Sequence, residues 1–327
     1  MAILVAGGAG YIGSHVCKLL HKRGYSVVVY DNLVHGYRAF AKWGEFVQGD
    51  IGDASQLSSV FTRFNIDVVM HFCAFLEVAE SVAEPEKYYK NNVQNTITLL
   101  EQMRKHGVDK FIFSSTAAVY GIPERIPIDE EDRKNPINPY GASKLMVERI
   151  LEDYAQAYDF RSIRFRYFNA AGADPDAEIG EAHVPEPHLI PLILDAALGR
   201  RESIRVYGTD YDTKDGTCVR DYIHVNDLAD AHIRGIDYLI EGGETSYFNL
   251  GSGTGFTVRE MLEAVRTVTG RDFTVEETGR RPGDPPFLIA SSEKAQKVLD
   301  WKTSYSLEDI VRTAWDWQKC LTDRTLS

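Results

Sequence analysis

Gly7-Gly8-Ala9-Gly10-Tyr11-Ile12-Gly13 decides how this chain folds. The stretch follows directly on the apolar run Ala2–Ala6 and opens a helical pattern through Ile12, Val16, Leu19 and Leu20. Gly7, Gly10 and Gly13 satisfy one glycine spacing; Gly8, Gly10 and Gly13 satisfy a second. Such glycines let a strand turn tightly into a helix, bring backbone amides onto a pyrophosphate, and pack the helix closely on the strand. The helix N-terminus adds a partial positive charge beneath the phosphates. A glycine run alone is also an ordinary turn. Asp31 separates the two readings, because it ends the second β-rich run 18 residues beyond Gly13. That is close to the ~20-residue offset of the acid that takes a dinucleotide's ribose hydroxyls. A carboxylate there repels a 2′-phosphate, which favours NAD over NADP.

Working outward, β-rich runs recur at Ala2–Ala6, Ser26–Tyr30, Glu45–Val47, Val68–Phe72, Lys110–Ser114 and Ser162–Phe168. Helical spacing fills most gaps between them, as in Val93, Ile97 and Leu100. Near-continuous apolar runs fit strands covered on both faces. Strands alternating with helices imply parallel crossovers and a doubly wound α/β sheet. After Asn169 the pattern changes. Residues 170–191 are rich in Gly, Pro, Asp and Glu, and helix starts with capping-box spacing follow at Thr257…Glu260 and Ser306…Asp309. The expectation is a Rossmann-like domain over 1–169 and a smaller C-terminal α+β substrate domain over 170–327. The boundary is soft, since later segments could return to the first domain.

Composition narrows the class. With 36 Lys and Arg against 48 Asp and Glu, the net charge is −12, which disfavours nonspecific nucleic-acid binding. Cys17, Cys73, Cys218 and Cys320 form no C-x-x-C pair, so no disulfide framework is expected and a reducing, cytoplasmic setting fits best. Met1–Val5 is too short and lacks the basic flank of a signal peptide. The apolar stretch Val68–Ala79 is broken by His71 and Glu77, so no membrane span is expected. Nine histidines show neither H-x-x-x-H nor H-E-x-x-H spacing, so no metal is expected.

Tyr140-Gly-Ala-Ser-Lys144 carries the second signal. Asn138 suits the N-cap and Pro139 the first helical position. Tyr140 and Lys144, at i and i+4, then share a helix face that continues through Val147 and Leu151. A phenol titrates near 10, too high for a base at neutral pH. A lysine ammonium and an oxidised nicotinamide nearby would lower it. Thr116, ending the fifth β-rich run, lies where ligands bind in open α/β sheets. It either hydrogen-bonds the reacting oxygen or caps the following turn.

These motifs resemble the extended short-chain dehydrogenase/reductase family, and within it the branch that inverts C4 of UDP-hexoses. The likeness runs from Gly7–Gly13 through Tyr140 and Lys144 to Arg166-Tyr167-Phe168-Asn169, His188-Leu189-Ile190-Pro191, Val219–Val225 and Arg280–Asp284. The resemblance implies reversible epimerisation through a 4-keto sugar with tightly bound NAD, in galactose and nucleotide-sugar metabolism. It implies NAD contacts from Gly7, Gly10, Tyr11, Ile12, Gly13, Asp31, Asn32, Asp50, Ile51, Phe72, Asn91, Tyr140, Lys144 and Phe168. Tyr140, Lys144 and Thr116 would be catalytic. Thr116, Tyr140, Asn169, Leu189, Arg205, Val206, Tyr207, Arg220, Arg281 and Asp284 would hold the UDP-sugar. Leu288 falls where some members carry a bulky tyrosine, which would open the pocket to N-acetylated sugars. A homodimer through helices of the dinucleotide domain is implied as well. Alternatives are a 4-epimerase of UDP-xylose or UDP-glucuronate, a decarboxylase, a sugar 4,6-dehydratase, and a non-catalytic NAD sensor. The dehydratase needs acids after the fifth strand, where Thr116-Ala117-Ala118 stands. A sensor would be free to lose Tyr140 or Lys144.

Overall fold

Ile3 and Val5 face one side of the first strand and Leu4 and Ala6 the other, and both sides are buried in separate apolar clusters. That is why the run is apolar without alternation. In the computed structural model, which describes residues 1–281 and 284–321, this strand, β1 (Ala2–Ala6), lies inside a seven-stranded sheet. Its companions are β2 (Ser26–Asp31), β3 (Glu45–Gln48), β4 (Ile66–His71), β5 (Lys110–Thr116) and β6 (Arg161–Tyr167). The expected strands therefore form, with ends shifted by one or two residues.

The smaller strands are β7 (Asn169–Ala171), β8 (Ser203–Tyr207), β9 (Val219–His224), β10 (Ser246–Leu250), β11 (Gly255–Thr257), β12 (Thr274–Thr278) and β13 (Phe287–Leu288). The large sheet runs β10-β6-β5-β4-β1-β2-β3 and every pair in it is parallel. The order reverses beside β1, so the crevice for a ligand opens at the C-terminal ends of β1 and β4.

The helices are α1 (Tyr11–Lys22), α2 (Ala54–Arg63), α3 (Val78–Ala83), α4 (Pro85–Tyr88), α5 (Asn95–Lys105), α6 (Pro139–Tyr158), α7 (Leu189–Ala197), α8 (Val225–Ile240), α9 (Val258–Thr269), α10 (Glu293–Leu299) and α11 (Leu307–Leu321). Val16, Cys17 and Leu20 of α1 and Leu228, Ile233 and Ile236 of α8 cover one face of the sheet. Leu57, Leu99, Met103 and Val147, from α2, α5 and α6, cover the other.

Two small sheets, with α7, α9 and α11 around them, build a second core of Ile190, Ile193, Ile204, Val206, Met261 and Ile310. Both expected capping boxes form: Thr257 with Glu260, and Ser306 with Asp309. Residues after 170 do not all stay there: α8 packs on α1, and β10 pairs with β6 in the large sheet. No helix among the described residues is long and apolar enough to cross a membrane.

Candidate active site

A cleft at the C-terminal ends of β1, β2, β4 and β5 encloses about 1310 Å³ of space, its open mouth included. Gly7, Gly10, Tyr11, Ile12, Gly13, Asp31, Asn32, Ile51, Phe72, Asn91, Tyr140 and Lys144 all line it. The glycines are required by space. A Cβ on Gly13 would lie 2.2 Å from the Gly7 carbonyl oxygen, and one on Gly7, at φ +82°, 2.6 Å from the Cys73 nitrogen. Gly10 is different: a Cβ there would touch only the Gly7 oxygen, at 3.4 Å, so its surface faces the open cleft. Gly10 N-caps α1 and no side chain bonds the first-turn amides. That leaves the amides for an anion.

At the far end of the cleft, Asp31 is 7% exposed and its oxygens accept from the amides of Ala9 (2.9 Å) and Leu33 (2.8 Å). Burial raises its pKa against those two bonds. Each carboxylate oxygen keeps a lone pair for a ribose hydroxyl. Asn32 is aimed by Asp50, whose carboxylate accepts its Nδ2 at 2.8 Å and the Gly52 amide at 2.7 Å. Asp50 supports the wall through Asn32, and its oxygens, like those of Asp31, keep lone pairs beyond these bonds. Asn91 lies in a π-helical turn over 89–94 and donates to the Cys73 carbonyl at 3.2 Å. The cleft walls therefore fit a dinucleotide: amides at its phosphates, a carboxylate at its ribose and apolar Ile12, Ile51 and Phe72 for its rings.

At the catalytic end, Asn138 caps α6 by accepting from the Gly141 amide at 2.8 Å, and Pro139 begins the helix. Of the two roles expected of Thr116 as alternatives, the cap forms: its hydroxyl accepts from the Ala118 amide at 3.2 Å. It also stands near enough to the Tyr140 phenol to act against the rise of that group's pKa. Lys144, 3% exposed, donates to the Ser114 carbonyl at 2.6 Å. Burial pulls its pKa down to about 7.

In this chain alone Tyr140 is raised by burial, with the Thr116 bond as the opposing effect. The lysine ammonium is turned onto a carbonyl rather than the phenol, so activation of the phenol requires the positive charge of an oxidised cofactor as well.

The residues expected at the substrate gather less closely. Arg220 is fixed by the carbonyls of Val219 and Pro285, both at 2.9 Å, and by Asp284 at 3.5 Å. Arg281 stacks 3.7 Å over the Tyr207 ring, and Arg205 pairs with Glu276 at 3.4 Å. Val206 is 2% exposed within the second core, because alternation along β8 turns its side chain away from Arg205 and Tyr207, so a nucleotide contact from it would come from its backbone. Asn169 donates to the Asp221 carbonyl at 2.8 Å, and Leu189 is the first residue of α7. Phe168 and Leu288 lie together against Val119, Tyr120 and Ile128, beside the cofactor cleft rather than in its lining. Cleft residues that the sequence reading missed include His35, Cys73, Ser114, Tyr167 and His183. Cys73 and Ser114 had a signal, since both end or follow strands at the crevice.

A family model described as GDP-mannose 4,6 dehydratase matches residues 4–314. The UDP-glucose 4-epimerase of Rhizobium meliloti (strain 1021) is 53% identical over 315 residues, 96% of each chain. A crystal structure of UDP-glucose 4-epimerase from Brucella ovis in complex with NAD superposes with a TM-score of 0.95 at 49% identity, covering 96% of this chain and 97% of that one. The enzyme of that name from Bifidobacterium longum, in complex with NAD+ and UDP, gives 0.92 at 39% identity over 98% of each. With the glycine-floored cleft and the tyrosine–lysine helix in place, these likenesses mean that the chain belongs to the extended short-chain dehydrogenase/reductase family, among the UDP-glucose 4-epimerases.

Proposed function

We propose that this protein interconverts UDP-galactose and UDP-glucose by reversible inversion at C4 of the hexose, with NAD held in the glycine-lined cleft. The observation that carries the reading is the Tyr140 phenol in the lining of that cleft, beside Thr116 at the end of β5 and one helical turn from Lys144. NAD, when bound, supplies a hydride acceptor that can return the same hydride. Tyr140 takes the proton from the sugar's 4-hydroxyl as C4 is oxidised, and gives it back after the planar 4-keto sugar has presented its other face. Thr116 orients both oxygens. Arg220, Arg281 and Arg205 supply, near the UDP, the local positive charge that a chain of net charge −12 lacks. Binding energy concentrated on UDP leaves the hexose free to turn.

The name of the matching family model supports a dehydratase less well, since Ala117 and Ala118 stand where that chemistry needs acids. Pure protein incubated with UDP-galactose and no reductant should form UDP-glucose without accumulating reduced nicotinamide. No conversion with NAD supplied would contradict the reading. We further propose a homodimer through α5 and α6, supported by a groove of Tyr89, Val93, Ile97 and the 46%-exposed Met146. The four cysteines, all free thiols, support a reducing compartment.

A further inference from the structure

The loop between β7 and α7 holds two clusters of carboxylates, one gathered around a lysine and the other interleaved with two histidines. Asp174, Asp176 and Glu178 share the Lys18 ammonium at 2.6, 3.0 and 2.6 Å. Eight residues cover the second cluster: Glu181, His183, Glu186 and His188, each offering one ligand atom within 4.8 Å of the others. The side chains of Glu181 and Glu186 are 8% and 12% exposed, and among the described residues their ion pairs are only with these two imidazoles.

The four donor atoms converge, joined by hydrogen-bonded ion pairs and all within 4.8 Å of one another. Nδ1 of His188 lies 2.8 Å from Oε1 of both carboxylates. Nδ1 of His183 lies 3.3 Å from Glu181 and 3.9 Å from Glu186. A tetrahedral zinc with bonds of about 2.0–2.1 Å places its donors roughly 3.3 Å apart, inside that range. Nδ1 of His183 is buried and makes no well-formed hydrogen bond, although the Glu181 carboxylate lies 3.3 Å away, so a neutral His183 would have Nδ1 to give to an ion at the shared centre. The backbone is held from behind. Trp317 Nε1 donates to the Glu181 carbonyl at 2.7 Å, and the Tyr37 hydroxyl to that of Ala182 at 2.7 Å.

We propose that Glu181, His183, Glu186 and His188 form a closed zinc site that locks this loop in place. Two imidazole nitrogens and two carboxylate oxygens suit zinc rather than magnesium or calcium, which take all-oxygen shells. Four protein ligands leave no open position, so the role is structural. His183 and Pro187 also line the cofactor cleft and Leu189 begins α7, so the ion would fix the wall between dinucleotide and sugar nucleotide. Linear spacing gave no hint of it, and the expectation of no metal rested on that spacing alone.

The test is metal content of tag-free full-length protein, loaded with zinc sulfate, gel-filtered and analysed by mass spectrometry. Wild type should keep about one zinc per chain, and His183→Ala/His188→Ala about a tenth of that or less. Should the double variant misfold, Glu186→Gln, checked by circular dichroism, should retain less zinc than wild type. Zinc-edge anomalous diffraction from wild-type crystals should give a peak among the four donors. Zinc near zero in loaded wild type, equal zinc in wild type and variants, or an anomalous peak elsewhere would overturn the proposal. None of these readouts depends on epimerase turnover.

Discussion

A phenol is protonated at neutral pH already and burial raises the Tyr140 pKa further, so its use as a base has to come from neighbours. Thr116 lies beside it and acts against that rise, and Lys144 stands a turn away with a pKa near 7 that burial has lowered. Tyr140→Phe removes the one atom that moves the proton. Turnover should fall by about 10²–10⁴-fold, while calorimetry with UDP should give nearly unchanged affinity; near-normal turnover would dismiss Tyr140 as the base. Leu288 lies in a small cluster with Phe168, Val119 and Tyr120. Wild type should turn over UDP-N-acetylglucosamine measurably, and Leu288→Tyr should lose that activity while keeping UDP-galactose turnover. At this scale the sequence was legible where a residue's chemistry names its job, as for Asp31, Tyr140 and Lys144. It did not say which atoms of Val206 could serve, since the period-two alternation of β8 turns that side chain away from Arg205 and Tyr207.

Between elements, a buried ion pair holds the catalytic helix to the sheet. Arg166 of β6 meets Glu148 of α6 at 2.7 Å, with both side chains 3% exposed or less. Ser115, next to Thr116, donates to the same carboxylate at 2.5 Å. Removing one partner leaves a buried charge without its counter-ion. Glu148→Gln should cost about 3–5 kcal/mol of stability in urea unfolding, and Arg166→Met/Glu148→Leu together should cost less. The glycine turn is equally specific. Gly13→Ala should bring an overpacking cost of about 1–3 kcal/mol, weakening NAD binding roughly ten- to hundredfold by calorimetry. β1, β2, β4 and β5 were readable because both faces are covered and their runs are largely apolar. β10, Ser246-Tyr-Phe-Asn-Leu250, was not, because its partner β6 lies about 80 residues back and no local pattern shows that pairing. The Glu181–His188 cluster was hidden for the same reason: an irregular loop, not a helix face, brings its ligands together.

The whole molecule buries several titratable groups, and these set its acid stability. Burial holds His15 and His232 down to about 4, and His71 and His224 down to about 3. As pH falls below the unfolded value near 6.5, the unfolded chain binds protons the folded chain refuses. Stability is therefore present above that value and is lost as pH falls toward 4, by up to about 1.4 kcal/mol per pH unit for each imidazole. Asp227, raised to about 6 by burial, takes up its proton early in the folded state and offsets part of the loss. The melting temperature should be lower at pH 5 than at pH 7, and His232→Phe should flatten that difference; a pH-independent melting curve would contradict the buried neutral imidazoles.

The account rests on one carbon losing and regaining the same hydrogen beside a phenol that handles only the oxygen's proton. UDP-galactose deuterated at C4 should therefore yield UDP-glucose with the deuterium still at C4, in unlabelled water and over many turnovers. Loss of that deuterium to solvent during conversion would contradict it.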